Sequence, residues 1–210
     1  MARYTEAVCR LCRREVEKLF LKGAKCNTQK CPITRRAYAP GQHGTARRQK
    51  LSNYGLQLRE KQKVKRTYGV MEKQFRKYFA IAARSKGITG KVLLQILERR
   101  LDNVVFRMGI GVSRAQARQL VRHNFVYVNS RRVNIPSFQI DVNDSVVIKV
   151  KKDKTAEKIK ENLEITKDRD VPKWLEFSRP ELSAKIARLP EKEDIPTAIE
   201  EQLIVELYSK

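Results

Sequence analysis

Arg99-Arg100-Leu101-Asp102-Asn103-Val104-Val105-Phe106-Arg107-Met108, a break at Gly109 and Gly111, then Ser113-Arg114-Ala115-Gln116-Ala117-Arg118-Gln119-Leu120-Val121-Arg122: this stretch decides the fold. Its second half reads as a short helix. Ser113 is placed to cap it, and Gln116 three residues on completes a capping box. Arg114, Arg118 and Arg122 recur at i, i+4 and i+8 and share one face. Ala117, Leu120 and Val121 form the opposite, buried stripe. Asn124 suits the left-handed position that ends a helix. Phe125–Val128 then reads as a strand, Asn129-Ser130 as a tight turn and Arg131-Arg132-Val133 as the return. Ser137–Val142 and Ser145–Val150 are further strand signals, with Asp141-Val142-Asn143-Asp144 turning between them. One helix and one turn therefore offer five guanidiniums, rigid forks matched to phosphate oxygens.

The charge of the whole chain gives that stripe its meaning. The 210 residues hold 46 Lys and Arg against 23 Asp and Glu. Residues 1–150 carry 33 of the basic and 9 of the acidic side chains, residues 151–210 carry 13 and 14. The last third has an ordinary surface, whereas the first two thirds would repel itself without a polyanion. Nucleic acid is the partner that fits. A hydrophobic content of 41% marks a folded protein rather than a disordered basic tail. No apolar run reaches the roughly 20 residues that span a bilayer. Met1-Ala2-Arg3-Tyr4 lacks the apolar core of a signal peptide, so a cytoplasmic, reducing setting is expected.

Working outward to the amino-terminal side, the four cysteines are spaced Cys9-x2-Cys12-x13-Cys26-x4-Cys31. Two close pairs across a loop can set four thiolates around one ion, and the surrounding Lys and Arg favour the thiolate form. Zinc is the expected occupant, with an iron–sulfur cluster as the alternative and two disulfides as the non-metal reading. A segment of this length cannot bury its own core, so the metal should fold it. Arg35 and Arg36 follow the last cysteine. Arg47, Arg48 and Lys50 lie in a stretch with no hydrophobic period and read as a phosphate-contacting arm.

Residues 52–68 read as a helix with only a thin apolar stripe, Tyr54, Leu58 and Tyr68. Arg59, Lys61, Lys63, Lys65 and Arg66 fill the rest, and a helix so polar should be stabilised by something outside it, here RNA. Glu72 to Ser85 is more amphipathic, with Phe75, Tyr78, Phe79, Ala82 and Ala83 inward. Thr89 caps a helix running from about Lys91 to Met108. Beyond the opening stretch, Thr155 to Lys167 reads as a helix, and Val171 to Phe177 and Leu182 to Leu189 as strands. Trp174 is expected as a core anchor, with base stacking as the alternative. Thr197 and Glu200 form a capping box ahead of Leu203–Tyr208, which fits helix or strand.

The fold expected is α+β: a metal-binding extension at 1–45, a helical domain at 46–98 with 190–210 packed back on it, and an α/β domain at 99–189 whose RNA-binding module is 99–150. No catalytic constellation emerges. There is no P-loop, no G-x-G-x-x-G and no G-x-S-x-G, and His43 and His123 lie in no nucleophile motif. Asp102 reads as a surface partner of Arg99 or of a backbone amide. The chain is read as a binding protein, not an enzyme.

Arg100-Leu101-Asp102-Asn103-Val104-Val105, Ser113-Arg114-x-Gln116-Ala117-Arg118-x-Leu120-Val121 and Val128-Asn129-x-x-x-Val133-Asn134-Ile135-Pro136-Ser137 resemble the RNA-binding module named after ribosomal protein S4. Many proteins share that module. The cysteine segment, Pro40-Gly41-Gln42-His43-Gly44, Leu58-Arg59-Glu60-Lys61-Gln62-Lys63, Tyr68-Gly69-Val70-x-Glu72-Lys73-Gln74-Phe75, Pro172-x-Trp174-Leu175 and Glu201-Gln202-Leu203-Ile204-Val205-Glu206 extend the resemblance along the whole chain, to the bacterial ribosomal S4 family. The resemblance implies a structural constituent of the small subunit that binds 16S rRNA at a multi-helix junction and nucleates assembly. It also implies ribosomal proteins S5 and S3 as neighbours, a place along the mRNA entry path and an influence on decoding accuracy. Two departures fall in turns, Ser130 and Asn143 where the family commonly has Gly. The competing function is an RNA-modifying or ribosome-associated factor using the same module. On the family reading the RNA contacts are Arg35, Arg36, Arg47, Arg48, Lys50, Arg59, Lys63, Arg66, Arg114, Arg118, Arg122, Arg131 and Arg132, and Arg118→Ala should cost affinity with little stability.

Overall fold

The computed structural model describes residues 3–46, 50–150, 153–195 and 198–209. In chain order these form α1 (Cys9–Glu15), α2 (Pro32–Arg35), α3 (Asn53–Thr67), α4 (Glu72–Arg84), α5 (Thr89–Glu98), α6 (Leu101–Arg107), α7 (Arg114–Arg122), β1 (Val126–Val128), β2 (Arg131–Arg132), β3 (Ser145–Ile148), α8 (Asp153–Ile165), β4 (Leu175–Ser178), β5 (Ser183–Ile186) and α9 (Glu201–Tyr208), with short 3₁₀ turns between. The chain divides into two compact units, Met1–Leu93 with Ala198–Lys210, and Leu94–Thr197.

The first unit is helical. Ser52 caps α3 by accepting from the Gly55 amide at 3.2 Å. The buried face of α3 is Gln57, Lys61, Val64 and Thr67, so the expected stripe holds only in part: Tyr68, just past the helix, is buried, whereas Tyr54 is 57% exposed. Hydropathy misses this face because three of its four members are polar and carry their own partners: Lys61 Nζ donates to Glu72 and Thr67 Oγ1 to the Lys63 carbonyl, each at 2.9 Å. Gln57 Nε2 donates to Glu206 of α9 at 2.9 Å, and Lys63 Nζ to the Ala198 carbonyl at 2.8 Å. Helix α9 therefore covers α3, and Leu203–Tyr208 is helical. The expected Thr197 cap lies outside the described residues. On α4, Phe75, Tyr78 and Ala82 are buried and Phe79 stacks on Tyr208 at 4.5 Å. Ala83 is exposed rather than inward.

The second unit is an antiparallel sheet of order β2-β1-β3-β5-β4 backed by helices. Its core runs through Leu101, Val104, Val105, Val121, Val126, Val146, Ile148, Ile159 and Ile186. Full burial of each aliphatic side chain contributes roughly 1.5–3 kcal/mol. Trp174 is fully buried in that core, which excludes the stacking alternative. The hairpin between β1 and β2 is a two-residue turn, with Asn129 at φ 47° and Ser130 at φ 66°. Both sit where a type I′ turn needs left-handed backbone, Ser130 at the place usually given to Gly.

Two expectations fail here for one reason. The helix expected over 91–108 breaks at Arg100, whose backbone is extended at ψ 135°. The strand expected over 137–142 forms only an isolated bridge between Gln139 and Arg100. Leu101 donates to the Phe138 carbonyl at 2.9 Å and Ile140 to that of Arg99 at 3.1 Å. The segment that looked like a strand thus spends its backbone bonds on splitting a helix.

Candidate nucleic-acid interface

The four cysteines come together. Cys9, Cys12, Cys26 and Cys31 line one cavity of about 10 Å³, closed by Val8, Leu21, Pro32 and Ile33. All four are free thiols, so the disulfide reading falls away. Burial raises the Cys12 and Cys26 thiols above their ordinary value, against the lowering expected from nearby cations. The Lys22 amide donates to Cys26 Sγ at 3.4 Å. Among the described residues no three Cys, His, Asp or Glu side chains stand in a finished metal-ligand arrangement, so the extension's metal-binding character is not shown. Arg13 pins the turn that follows, donating to the Tyr38 and Ala39 carbonyls at 3.0 and 3.3 Å.

The cations of α3 are drawn inward. Arg59 and Arg66 both bond the Glu15 carboxylate, Arg59 at 3.2 Å. Lys63 meets Glu60 at 2.9 Å and Glu17 at 3.5 Å. Lys61 and Lys65 reach Glu72 at 2.9 and 3.0 Å, and Tyr208 donates to the same carboxylate at 3.1 Å. Burial alone would raise the Glu72 carboxyl, but the hydrogen bonds from Lys61 and Lys65 outweigh it and hold it at about 2. Protein contacts, from α9 and these carboxylates, thus help to stabilise this polar helix.

The expected arginine face of α7 divides in the same way. Arg118 is buried, and its Nη1 donates to Asp102 Oδ2 at 3.1 Å. Arg100 grips Asp102 through Nε and Nη2 at 3.0 and 2.7 Å. Arg99, the partner expected for Asp102, instead pairs with Asp141. Beside this triad Glu98, with no exposed surface, accepts from Arg107 Nε at 2.9 Å and Asn103 Nδ2 at 2.7 Å. Arg114 donates to Asn103 Oδ1 at 2.9 Å and lies over the Phe106 ring at 4.3 Å. Of the three, Arg122 alone is exposed, as are Arg131 and Arg132 in the hairpin. Arg35, Arg36 and Lys50 are exposed, and Arg47 and Arg48 lie outside the described residues.

Periodicity places an arginine on a helix face but cannot say that a carboxylate lies beneath it. Residues 3–98 match the ribosomal protein S4/S9 N-terminal domain, and residues 99–146 match the S4 domain. Three similar chains are each named small ribosomal subunit protein uS4. That of Acetivibrio thermocellus is 60% identical, that of Ruminiclostridium cellulolyticum 59% and that of Thermodesulfovibrio yellowstonii 56%, each over 100% of both chains. This chain belongs to the uS4 family.

The turn between α6 and α7 of this uS4-family chain is held by residues that sequence reasoning missed. Thr166 Oγ1 donates to the Gly109 carbonyl at 2.7 Å and Asn162 Nδ2 to that of Ile110 at 3.0 Å. Arg169 Nη1 donates to the Phe106 and Gly111 carbonyls and Nη2 to that of Val112, at 3.1 to 3.2 Å. All three lie beyond the matched S4 domain, in and after α8. The turn leaves no room for side chains: a Cβ on Gly111 would stand 2.9 Å from the Ala117 nitrogen, and Gly109 has φ +79°. Ser113 Oγ accepts from the Gln116 amide at 3.3 Å, and Gln116 Oε1 reaches the Val112 amide at 2.8 Å. The side-chain return of the expected box therefore lands one residue early.

Proposed function

We propose that this chain is a structural rRNA-binding constituent of the small ribosomal subunit in the cytoplasm. The observation that carries this is identity of 60% over the whole of both chains with a small-subunit protein. It occupies 16S rRNA at a multi-helix junction, where its surplus cations neutralise converging phosphates and so promote early assembly of the subunit body. Ribosomal proteins S5 and S3 and the mRNA entry path are its neighbours, and through them it influences decoding accuracy. It acts by binding and has no catalytic step. RNA grooves of A form hide most base edges, so shape and phosphate contacts dominate. Titrating the purified protein with a 16S rRNA transcript across salt concentrations tests this: log K should fall linearly with log salt. Equal affinity for an unstructured polyanion would overturn it.

The same reading gives Cys9, Cys12, Cys26 and Cys31 to a zinc ion. All four cysteines line one small cavity, which supports a shared ion, with an iron–sulfur cluster as the alternative occupant. Bound zinc would supply a cross-link to a segment whose own apolar cluster is Cys12, Leu19, Cys31 and Ile33. Elemental analysis should find one zinc per chain, and chelation should unfold residues 1–45 while leaving the sheet intact. An extension that stays folded after complete metal removal would exclude the site.

A further inference from the structure

We infer that the solvent side of α4 is a phosphate-docking ridge, with Lys73, Lys77 and Arg84 as its contacts to the sugar–phosphate backbone of a folded RNA. The inference rests on the rRNA-binding reading above and gives it a location none of the sequence-level candidates occupies.

The ridge follows from how α4 is anchored. Phe75, Tyr78 and Ala82 are buried. At 100° per residue, Lys73, Lys77, Ala80 and Arg84 project from the opposite side. All four are exposed. Lys73 to Arg84 spans about 16 Å along the axis, and the small Ala80 lets a backbone approach between the cations. Arg76, beside this strip, and Lys86, just past the end of the helix, are also exposed.

Two observations separate this face from an ordinary solvated one. The first is the fate of charge in the same unit. Arg59, Lys61, Lys63, Lys65 and Arg66 of α3 are all committed to Glu15, Glu17, Glu60 or Glu72. Glu72 is the one acid on α4, and it is gripped by Lys61, Lys65 and Tyr208, with Arg76 more distant at 3.5 Å. Glu72 thus faces α3, and the outer strip of α4 presents Lys73, Lys77 and Arg84 as exposed cations with no ion pair among the described residues. The second is apolar surface on its flank: Ile81 is 45% exposed and Ile88, just past the helix, 73%. A ribose edge and the phosphates beside it would cover both kinds of surface. The anchored inner face fixes the backbone that carries the cations before binding, so only their side chains remain to be ordered on association.

The test compares the full chain with two triple variants, K73A/K77A/R84A and the charge-conserving K73R/K77R/R84K, in titrations against a 16S rRNA transcript at several salt concentrations. Loss of three phosphate contacts should flatten the log K against log salt slope by about 2 to 3 and weaken affinity at least tenfold at low salt. Thermal stability should be unchanged, since none of the three side chains packs inside the unit. The charge-conserving variant should bind like the parent. Parental affinity and slope in the alanine variant would overturn the ridge while leaving rRNA binding in place. An equal loss in both variants would also overturn it, since charge would not be the cause. Failure of the parent chain to bind would overturn both readings together.

Discussion

Asp102 shows how far a single residue can redirect the meaning of a basic motif. Its carboxylate takes Arg100 and Arg118 into a buried cluster, so Arg118 is a structural member of the fold before it is anything else. Removing one partner of a buried, hydrogen-bonded charge leaves the other under-compensated. Arg118→Ala should therefore lower the stability of the sheet-containing unit by about 2 kcal/mol, measured by denaturant titration. The sequence reading assigned that substitution an effect on RNA affinity alone, and an unchanged midpoint would restore it. Residues whose partners are local were legible: Ser113 caps α7, and Asn124 at φ 65° ends it. Asp102 was not, because its cations are brought to it by the break at Arg100 and by the return of α7, neither of which a spacing rule encodes.

At the scale of elements, α3 and α4 are coupled through Glu72. Its carboxyl is held at about 2, below its ordinary 4.5. A depressed carboxylate stabilises the fold above its unfolded value, and that contribution is lost as pH falls through the folded one. The helical unit should thus lose stability progressively from about pH 4.5 towards pH 2, less in Glu72→Gln, as followed by circular dichroism. Because Glu72 is partly exposed, added salt should shrink the difference. Identical acid titrations of the two proteins would remove Glu72 from this role. The helices themselves were legible from turn residues and from Phe75 and Tyr78. The inward face of α3 was not, since Lys61 and Gln57 are buried through partners distant in sequence. The strand expected at 137–142 failed because alternation in Phe138, Ile140 and Val142 does not reveal which backbone it will pair with.

For the whole molecule, the asymmetry of charge between residues 1–150 and 151–210 was readable at once and agrees with membership of a small-subunit protein family. What composition could not give is the interleaving of the chain, in which the helical unit takes residues from both sides of Leu94–Thr197. Deleting residues 198–209 should expose Val64 and the inner face of α4 and abolish protection of α3 amides from hydrogen exchange, while β1, β3 and β5 remain protected. Retained protection of α3 would show that α9 is dispensable. The interleaving also sets a timetable for biosynthesis. Residues 94–197 are synthesised before α9, so a nascent polypeptide holds α3 without its cover until α9 has emerged. A fragment that stops short of α9 consequently lacks a finished helical unit.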